Sequence, residues 1–202
     1  VVFICRYRKE LIQERYPDLT YVENKDWENN NILLSLLCAR EHLTGGFVST
    51  YADIVYRKEI VRDLVASPHS IALGCDTDWR RRYTGRSQHP ETDAEKLRAE
   101  GERVVQLSRK IDSEAASGEF IGVMKLDPAG VSAFLDAFDQ AEGVYRGKVF
   151  REGRTFEKAY LIDLLQHMVE SGTAMHRVDT HGGYMEIDTL EDASLAEAWW
   201  KA

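Results

Sequence analysis

The 202 residues carry a formal net charge of −8, with 44% hydrophobic and 30% charged positions, the composition of one ordinary globular domain. An acidic balance argues against nucleic acid as a main partner, since duplex binding rests on a broad basic surface. Short apolar runs and the lack of a basic-then-apolar leader argue against a membrane span or signal, so a cytoplasmic protein is the default expectation. Cys5, Cys38 and Cys75 lie far apart with no CxxC or Cys/His spacing, which argues against a disulfide framework or a zinc site.

In chain order, Val1 to Cys5 reads as a buried strand, Lys9 to Arg15 as a short helix before Pro17, and Leu19 to Glu23 as the next strand. A chain seldom opens in mid-core, and Val1 stands where Met would begin, so an upstream segment is expected. An asparagine-rich loop then leads into Ile32, Leu33, Leu36 and Leu37, which have helical spacing. That helix is carried to Leu43 and ended by Gly45-Gly46. Strand Phe47 to Ala52, helix Lys58 to Ala66 and strand Ile71 to Cys75 follow, and the alternation predicts an α/β fold with a largely parallel sheet.

The middle differs, because Asp76 to Gly101 is long, polar and charged, as lids and subunit contacts often are; a homodimer contact is one expectation for it. Strands Arg103 to Lys110 and Phe120 to Leu126 come next, then a helix opened by Pro128 and running to Ala141. A long amphipathic helix, Thr155 to Ser171, strands Met175 to Asp179 and Tyr184 to Ile187, and a final helix through Trp199 complete the chain.

The tail concentrates the chemistry. In Gly182-Gly183-Tyr184-Met185-Glu186-Ile187-Asp188-Thr189, the two carboxylates Glu186 and Asp188 fall on one face of a strand, because strand side chains repeat every second residue. Thr189 is placed to cap the helix that follows. Carboxylates converging at a strand end in an α/β protein are suited to a hard divalent cation, Mg2+, over a phosphate. Asp53 ends a second strand; alone it reads as an N-cap, and its pairing with Glu186 and Asp188 turns the reading toward metal.

Other residues carry two readings each. Asn31 and Ser35, a turn apart at a helix start, suit either capping or contact with a nucleotide. Trp79 and Tyr83 flank three arginines and Tyr184 stands beside the acidic pair; such rings form a box for a quaternary ammonium group, or simply pack. Lys110, at the end of an apolar strand, suits the grip on an acceptor phosphate or marks an exposed strand end. His89-Pro90 and Arg86 in the long loop are equally two-sided, and His42, His167, His176 and His181 lack a partner at a telling spacing.

Taken in order, Tyr7-Arg8-Lys9-Glu10, Asn31 to Leu36, Ala52-Asp53-Ile54-Val55-Tyr56, Asp78-Trp79, Tyr83-Thr84-Gly85-Arg86, Gly118 to Gly122 and Glu186-Ile187-Asp188 resemble the small-molecule nucleotidyltransferases. Within them the set is most similar to the phosphocholine cytidylyltransferase-like branch. The resemblance implies a Rossmann-like fold with a mixed, mostly parallel sheet flanked by helices over residues 1–202. It also implies transfer of CMP from CTP to phosphocholine or a close analogue such as 2-aminoethylphosphonate, with pyrophosphate released and Mg2+ as cofactor. By position, Asp53 and Asp188 match the metal-binding aspartates. Trp79, Tyr184 and Glu186 match the region around the cationic head group, and Lys110 resembles a lysine placed on the acceptor phosphate.

The chain departs from that pattern at its start, which contains no GxGxR-type glycine-rich loop, and Arg6 stands where a glycine is expected. Two further readings therefore stand beside the cytidylyltransferase: a sugar-1-phosphate nucleotidyltransferase, and a non-catalytic nucleotide-sensing or assembly protein.

Overall fold

The computed structural model describes residues 1–153 and 155–201; residues 154 and 202 of the expected 1–202 domain lie outside them. In chain order its elements are β1 (Val2–Cys5), α1 (Lys9–Arg15), β2 (Thr20–Glu23), α2 (Ile32–Leu37), β3 (Phe47–Thr50), β4 (Ile54–Tyr56), α3 (Lys58–Ala66), β5 (Ile71–Asp76), α4 (Arg80–Tyr83) and β6 (Lys96–Glu100). There follow β7 (Arg103–Leu107), β8 (Gly118–Leu126), α5 (Pro128–Tyr145), α6 (Leu161–Glu170), β9 (His176–Thr180), β10 (Tyr184–Glu186) and α7 (Leu190–Lys201). The chain divides into two compact units, Val1–Gly45 with Val131–Met168, and Gly46–Gly130 with Val169–Ala202.

In the first unit β1 and β2 pair in parallel, Phe3 opposite Tyr21, with α1 between them in sequence. The helix expected to run to Leu43 stops at Leu37, because the Cys38 N–H is shared between the carbonyls of Leu34 and Ser35. That sharing tightens the chain into a 3-10 turn, Arg40–His42, which leaves both Ala39 and Leu43 buried. The expected helix from Thr155 is likewise split into a 3-10 turn, Phe156–Lys158, and α6. Asp163 sets the start of α6 by accepting the Tyr160 N–H at 2.8 Å with its side chain. Phe138 and Phe150 each pack a ring against Phe156 in this unit.

The second unit holds a six-stranded mixed sheet in the order β3-β8-β5-β9-β7-β6. The expected dominance of parallel pairing is corrected here: β5 and β9 run parallel, whereas β8 is antiparallel to β3, β5 and β6, and β7 is antiparallel to β6 and β9. β7 and β8 both run antiparallel to β6, so they share one direction, opposite to that of β5 and β9, and the connector between them, residues 108–117, carries the chain back along the sheet without a helix. Strand β6 lies inside the stretch read as loop; its Lys96-Leu97-Arg98-Ala99-Glu100 is too charged to announce a strand, and it is made one by the hairpin to β7. From α3, Ile60 and Leu64 pack with Ala72, Ile121, Val123 and Tyr184, so the helix lies on the sheet through one apolar stripe.

Outside that sheet, β4 and β10 form a two-stranded antiparallel ribbon with Tyr184 opposite Tyr56 and Glu186 opposite Ile54. An isolated ribbon is marginal on its own and must be anchored. Gly182 and Gly183 both sit at left-handed φ, +79° and +77°, and the Gly182 N–H donates to Asp76 Oδ1 at 2.9 Å where β5 ends. On the other strand, the Arg57 N–H donates to the Gly183 carbonyl at 2.9 Å, and its guanidinium lies 4.9 and 4.8 Å from the ring centres of Trp199 and Trp200 in α7.

Tyr51 guides the chain from β3 into this ribbon. Its ring crosses Gly122 of β8, at φ +71°, where an added Cβ would stand 2.4 Å from the ring, and its hydroxyl donates to Glu95 at 3.0 Å. Gly122→Ala is therefore expected to destabilise the protein by about 2–4 kcal/mol through left-handed strain plus overpacking. In urea unfolding, adding Tyr51→Ala should recover part of that loss; strict additivity of the two changes would exclude the contact as its cause.

Candidate functional site

Asp53 occupies the bend between β3 and β4. The capping reading is removed, since α3 begins only at Lys58 with Arg57 at its N-cap. The ribbon places Asp53 beside the tail carboxylates: the Ile187 N–H donates to the Asp53 carbonyl at 2.8 Å, and Glu186 and Asp188 flank that residue. β10 ends at Glu186, one residue short of the expected strand, and Asp188 lies beyond it, yet the two carboxylates come to one side, with ligand-type atoms within 4.8 Å of each other.

These acids feel one another. Burial raises the Asp53 carboxyl above its ordinary range and the Asp188 charge adds to the rise, against a hydrogen bond from its own backbone. Glu186 is pushed from 4.5 up to about 7, first by burial, then by Asp188 and Asp53, with Arg82 and Arg86 opposing. Asp53 and Glu186 are thus carboxyls whose ionised forms a bound cation would favour. The donor set fits a hard divalent ion.

A histidine completes the cluster. His89, Glu186 and Asp188 offer ligand-type atoms that all lie within 4.8 Å of one another. His89 is 5% exposed, with Nε2 3.6 Å from Glu186 Oε2 and Nδ1 3.3 Å from Asp188 Oδ2. Sequence reasoning left His89 two-sided; its signal is the Arg86-Ser87-Gln88-His89 spacing, since Arg86 Nη2 meets His89 Nδ1 at 2.7 Å. Arg86 is itself buried and pairs with buried Asp192, Nε to Oδ1 at 2.8 Å and Nη2 to Oδ1 at 2.7 Å. Asp192 Oδ2 accepts the N–H groups of Asp188 at 3.1 Å and Thr189 at 2.9 Å, while Thr189 Oγ1 accepts the Asp192 N–H at 3.2 Å. This is the reciprocal cap expected of Thr189, and here it also locks the turn that carries Asp188.

Arg82 forms the second buried anchor. Its Nε donates to Asp76 Oδ2 at 3.0 Å, its Nη2 to Glu119, and its guanidinium lies 4.2 Å from the centre of the Tyr184 ring. The expected aromatic box is corrected accordingly. Trp79 is 3% exposed and packs with Tyr83 and Ala94, Tyr83 donates its hydroxyl to Glu119 at 2.7 Å, and Tyr184 presents a face to the protein's own cation. The rings fill space around the arginines, the commoner role of a large aromatic.

Two other expectations receive their places. Lys110 does not end a strand, since β7 stops at Leu107 and Lys110 stands in an exposed turn beyond it. Asn31 caps α2, its Oδ1 accepting the Ile32 N–H at 2.8 Å, and Ser35 lies within the same helix with its N–H on the Asn31 carbonyl at 3.0 Å. Both belong to the first unit. Among the described residues no helix is long and apolar enough to cross a membrane.

No family model matches the chain. It is 22% identical over 179 residues to the CTP:phosphoglutamine cytidylyltransferase of Campylobacter jejuni, a match covering 85% of this chain and 69% of that protein. Among solved structures it is similar to the inositol-1-phosphate CTP transferase from T. maritima, with TM-score 0.70 and 17% identity over 97% of this chain and 73% of that one. It is also similar to the CTP:phosphocholine cytidylyltransferase from Streptococcus pneumoniae, with TM-score 0.69 and 18% identity over 99% and 78% of the two chains. At these identities the likeness establishes architecture, and the chain has the α/β nucleotidyltransferase fold with a mixed sheet and helices packed on it.

Proposed function

We propose that the protein transfers CMP from CTP to a small phosphate or phosphonate monoester carrying a cationic amine, releasing pyrophosphate. The observation that carries this reading is the ribbon that gathers Asp53, Glu186 and Asp188. The cytidylyltransferases among its relatives support CTP as the donor. Asp53 and Asp188 would hold Mg2+, which when bound supplies charge neutralisation at the phosphates. An acceptor oxygen attacks the α-phosphorus; the new P–O bond forms as the bond to pyrophosphate breaks. A monoester is already ionised at neutral pH, so the chain needs no general base, in keeping with carboxylates rather than a nucleophile at the site.

Glu186 takes the acceptor's cation in this reading. Because the neighbouring rings are closed and Tyr184 already faces Arg82, the site favours an ammonium that hydrogen-bonds to a carboxylate over a trimethylated one that needs open aromatic faces. In the native protein, pyrophosphate release from CTP should therefore be faster per unit concentration with 2-aminoethylphosphonate or phosphoethanolamine than with phosphocholine. Hexose 1-phosphates should be poor acceptors. A preference for them would replace this reading with the sugar-type one, and release with none of these acceptors would favour a binding role.

Asp53→Ala and Asp188→Ala should each lower kcat/KM by at least about 100-fold while leaving the thermal midpoint near the parent value, the scale of losing one charge-stabilising group. Retained turnover in both variants would sink the assignment.

The raised Glu186 carboxyl predicts a pH signature. Without metal, the folded state keeps this proton up to about pH 7 while the unfolded chain releases it near 4.5, so stability falls as pH rises through that window. Glu186→Gln should match the parent at pH 4 and exceed it in urea midpoint at pH 8. Millimolar Mg2+ should stabilise the parent more at pH 8 than at pH 5. A parent curve that rises between these pH values relative to the variant would contradict the raised carboxyl.

A further inference from the structure

The cluster of His89, Glu186 and Asp188 has the appearance of a three-ligand metal centre, yet the hydrogen-bond directions divide it. A guanidinium has five donors and no acceptor, so Arg86 Nη2, 2.7 Å from His89 Nδ1, must donate to that nitrogen. Nδ1 then carries no proton and its lone pair is occupied. The ring proton is on Nε2, the atom 3.6 Å from Glu186 Oε2. Arg86 cannot turn away to release the ring, because its side chain is 0% exposed and is held by Asp192, also 0% exposed. It also reaches the Glu186 carbonyl at 3.4 Å.

We propose that His89 is a positioning residue and not a metal ligand: Arg86 fixes it as the Nε2–H tautomer, and it directs that proton at Glu186, aiming the carboxylate at the acceptor's ammonium. The cation site is left to carboxylate oxygens alone. Two consequences separate this arrangement from a histidine-ligated centre. An all-oxygen site suits Mg2+ or Mn2+ and lacks the added affinity that an imidazole gives to Zn2+ or Ni2+. Loss of His89 acts on acceptor binding and removes no ligand atom from the cation. Glu186 thereby belongs to the acceptor and Asp188 to the cation, although the two are separated by one residue. This division rests on the acceptor reading given above, whereas the tautomer of His89 does not.

The first test reads the ring directly. In a long-range 1H–15N correlation of the native protein without metal or acceptor, His89 should give the pattern of a neutral ring protonated at Nε2. A pattern protonated at Nδ1, or at both nitrogens, overturns the proposal. Mn2+ binding followed by electron paramagnetic resonance supplies the second arm. His89→Gln should hold Mn2+ within about threefold of the parent, and a clear weakening beyond that, as the loss of a ligand would give, would overturn the proposal. With 2-aminoethylphosphonate as acceptor, His89→Gln should raise KM about tenfold with kcat within about threefold, and His89→Asn should behave alike. A fall in kcat at unchanged KM would contradict the role.

Arg86→Lys breaks the two-point hold on Asp192 and His89 and is the variant at risk of not folding; His89→Gln leaves the buried pair in place and keeps the proposal open to refutation. If the parent binds none of the amino-phosphonate acceptors, the acceptor reading fails, and the tautomer pattern and the Mn2+ affinities still decide the role of His89.

Discussion

Half-buried like charge is the constraint around which this protein is organised. Glu186, 24% exposed, and Asp188, 48% exposed, lie on one side of a narrow ribbon with Asp53 across from them, and each such neighbour disfavours the ionised form of the next. Left to relax, a two-stranded ribbon would splay or shift register to separate them. It is kept from doing so by four attachments: the Asp76 carboxylate on Gly182, the Asp192 carboxylate on the N–H groups of Asp188 and Thr189, Arg86 on the Glu186 carbonyl, and Arg57 between the ribbon and the tryptophans of α7. The repulsion is thus held in place by backbone and buried charge.

The two buried arginines serve this purpose better than apolar side chains of similar size would. Replacing a buried ion pair by packed hydrophobes is often neutral or stabilising, so Arg82 with Asp76 and Glu119, and Arg86 with Asp192, are poor candidates for a purely structural role. Each also retains a buried Nη1 without a hydrogen-bond partner. What an arginine adds is a fixed positive charge that lowers the cost of ionising Glu186 and a planar fork that sets several partners at once. Arg86 sets Asp192, His89 and the Glu186 carbonyl in one step.

Local signals in the sequence carry the local parts of this arrangement. Helices Lys9–Arg15 and Lys58–Ala66 have the bounds that their apolar spacing implies, and the Asn31 and Thr189 caps form where short polar side chains precede apolar runs. The acidic tail pair and its nearness to Asp53 are legible too, because alternation on a strand is a two-residue rule. The direction of β8 is not legible, since it shows only in the pairing with β3, β5 and β6 and not in its own apolar residues. Nor is the closure of the aromatic box: Trp79, Tyr83 and Tyr184 look the same in sequence whether they line a site or pack on Arg82. His89 was hidden for a similar reason, as its meaning comes from contact with Glu186 and Asp188, about a hundred residues further along the chain in the tail.

Placing the carboxylates on a ribbon beside the main sheet has a chemical consequence. In the sheet, β5 ends in Asp76, whose two oxygens are consumed by Asp78, Gly182 and Arg82, so the acid at that strand end is spent on structure. The ribbon is tied to that acid through Gly182, and Glu186 and Asp188 keep their side chains 24% and 48% exposed. A buried acid saturated with N–H donors builds the platform, and partly exposed acids face one another on the ribbon side. The same kind of side chain therefore does different work according to how many hydrogen bonds the backbone offers it. Under the proposed function, that division is what would let a chain with a net charge of −8 bring phosphates to an acidic site, since the acids that repel them are those able to share a cation with them.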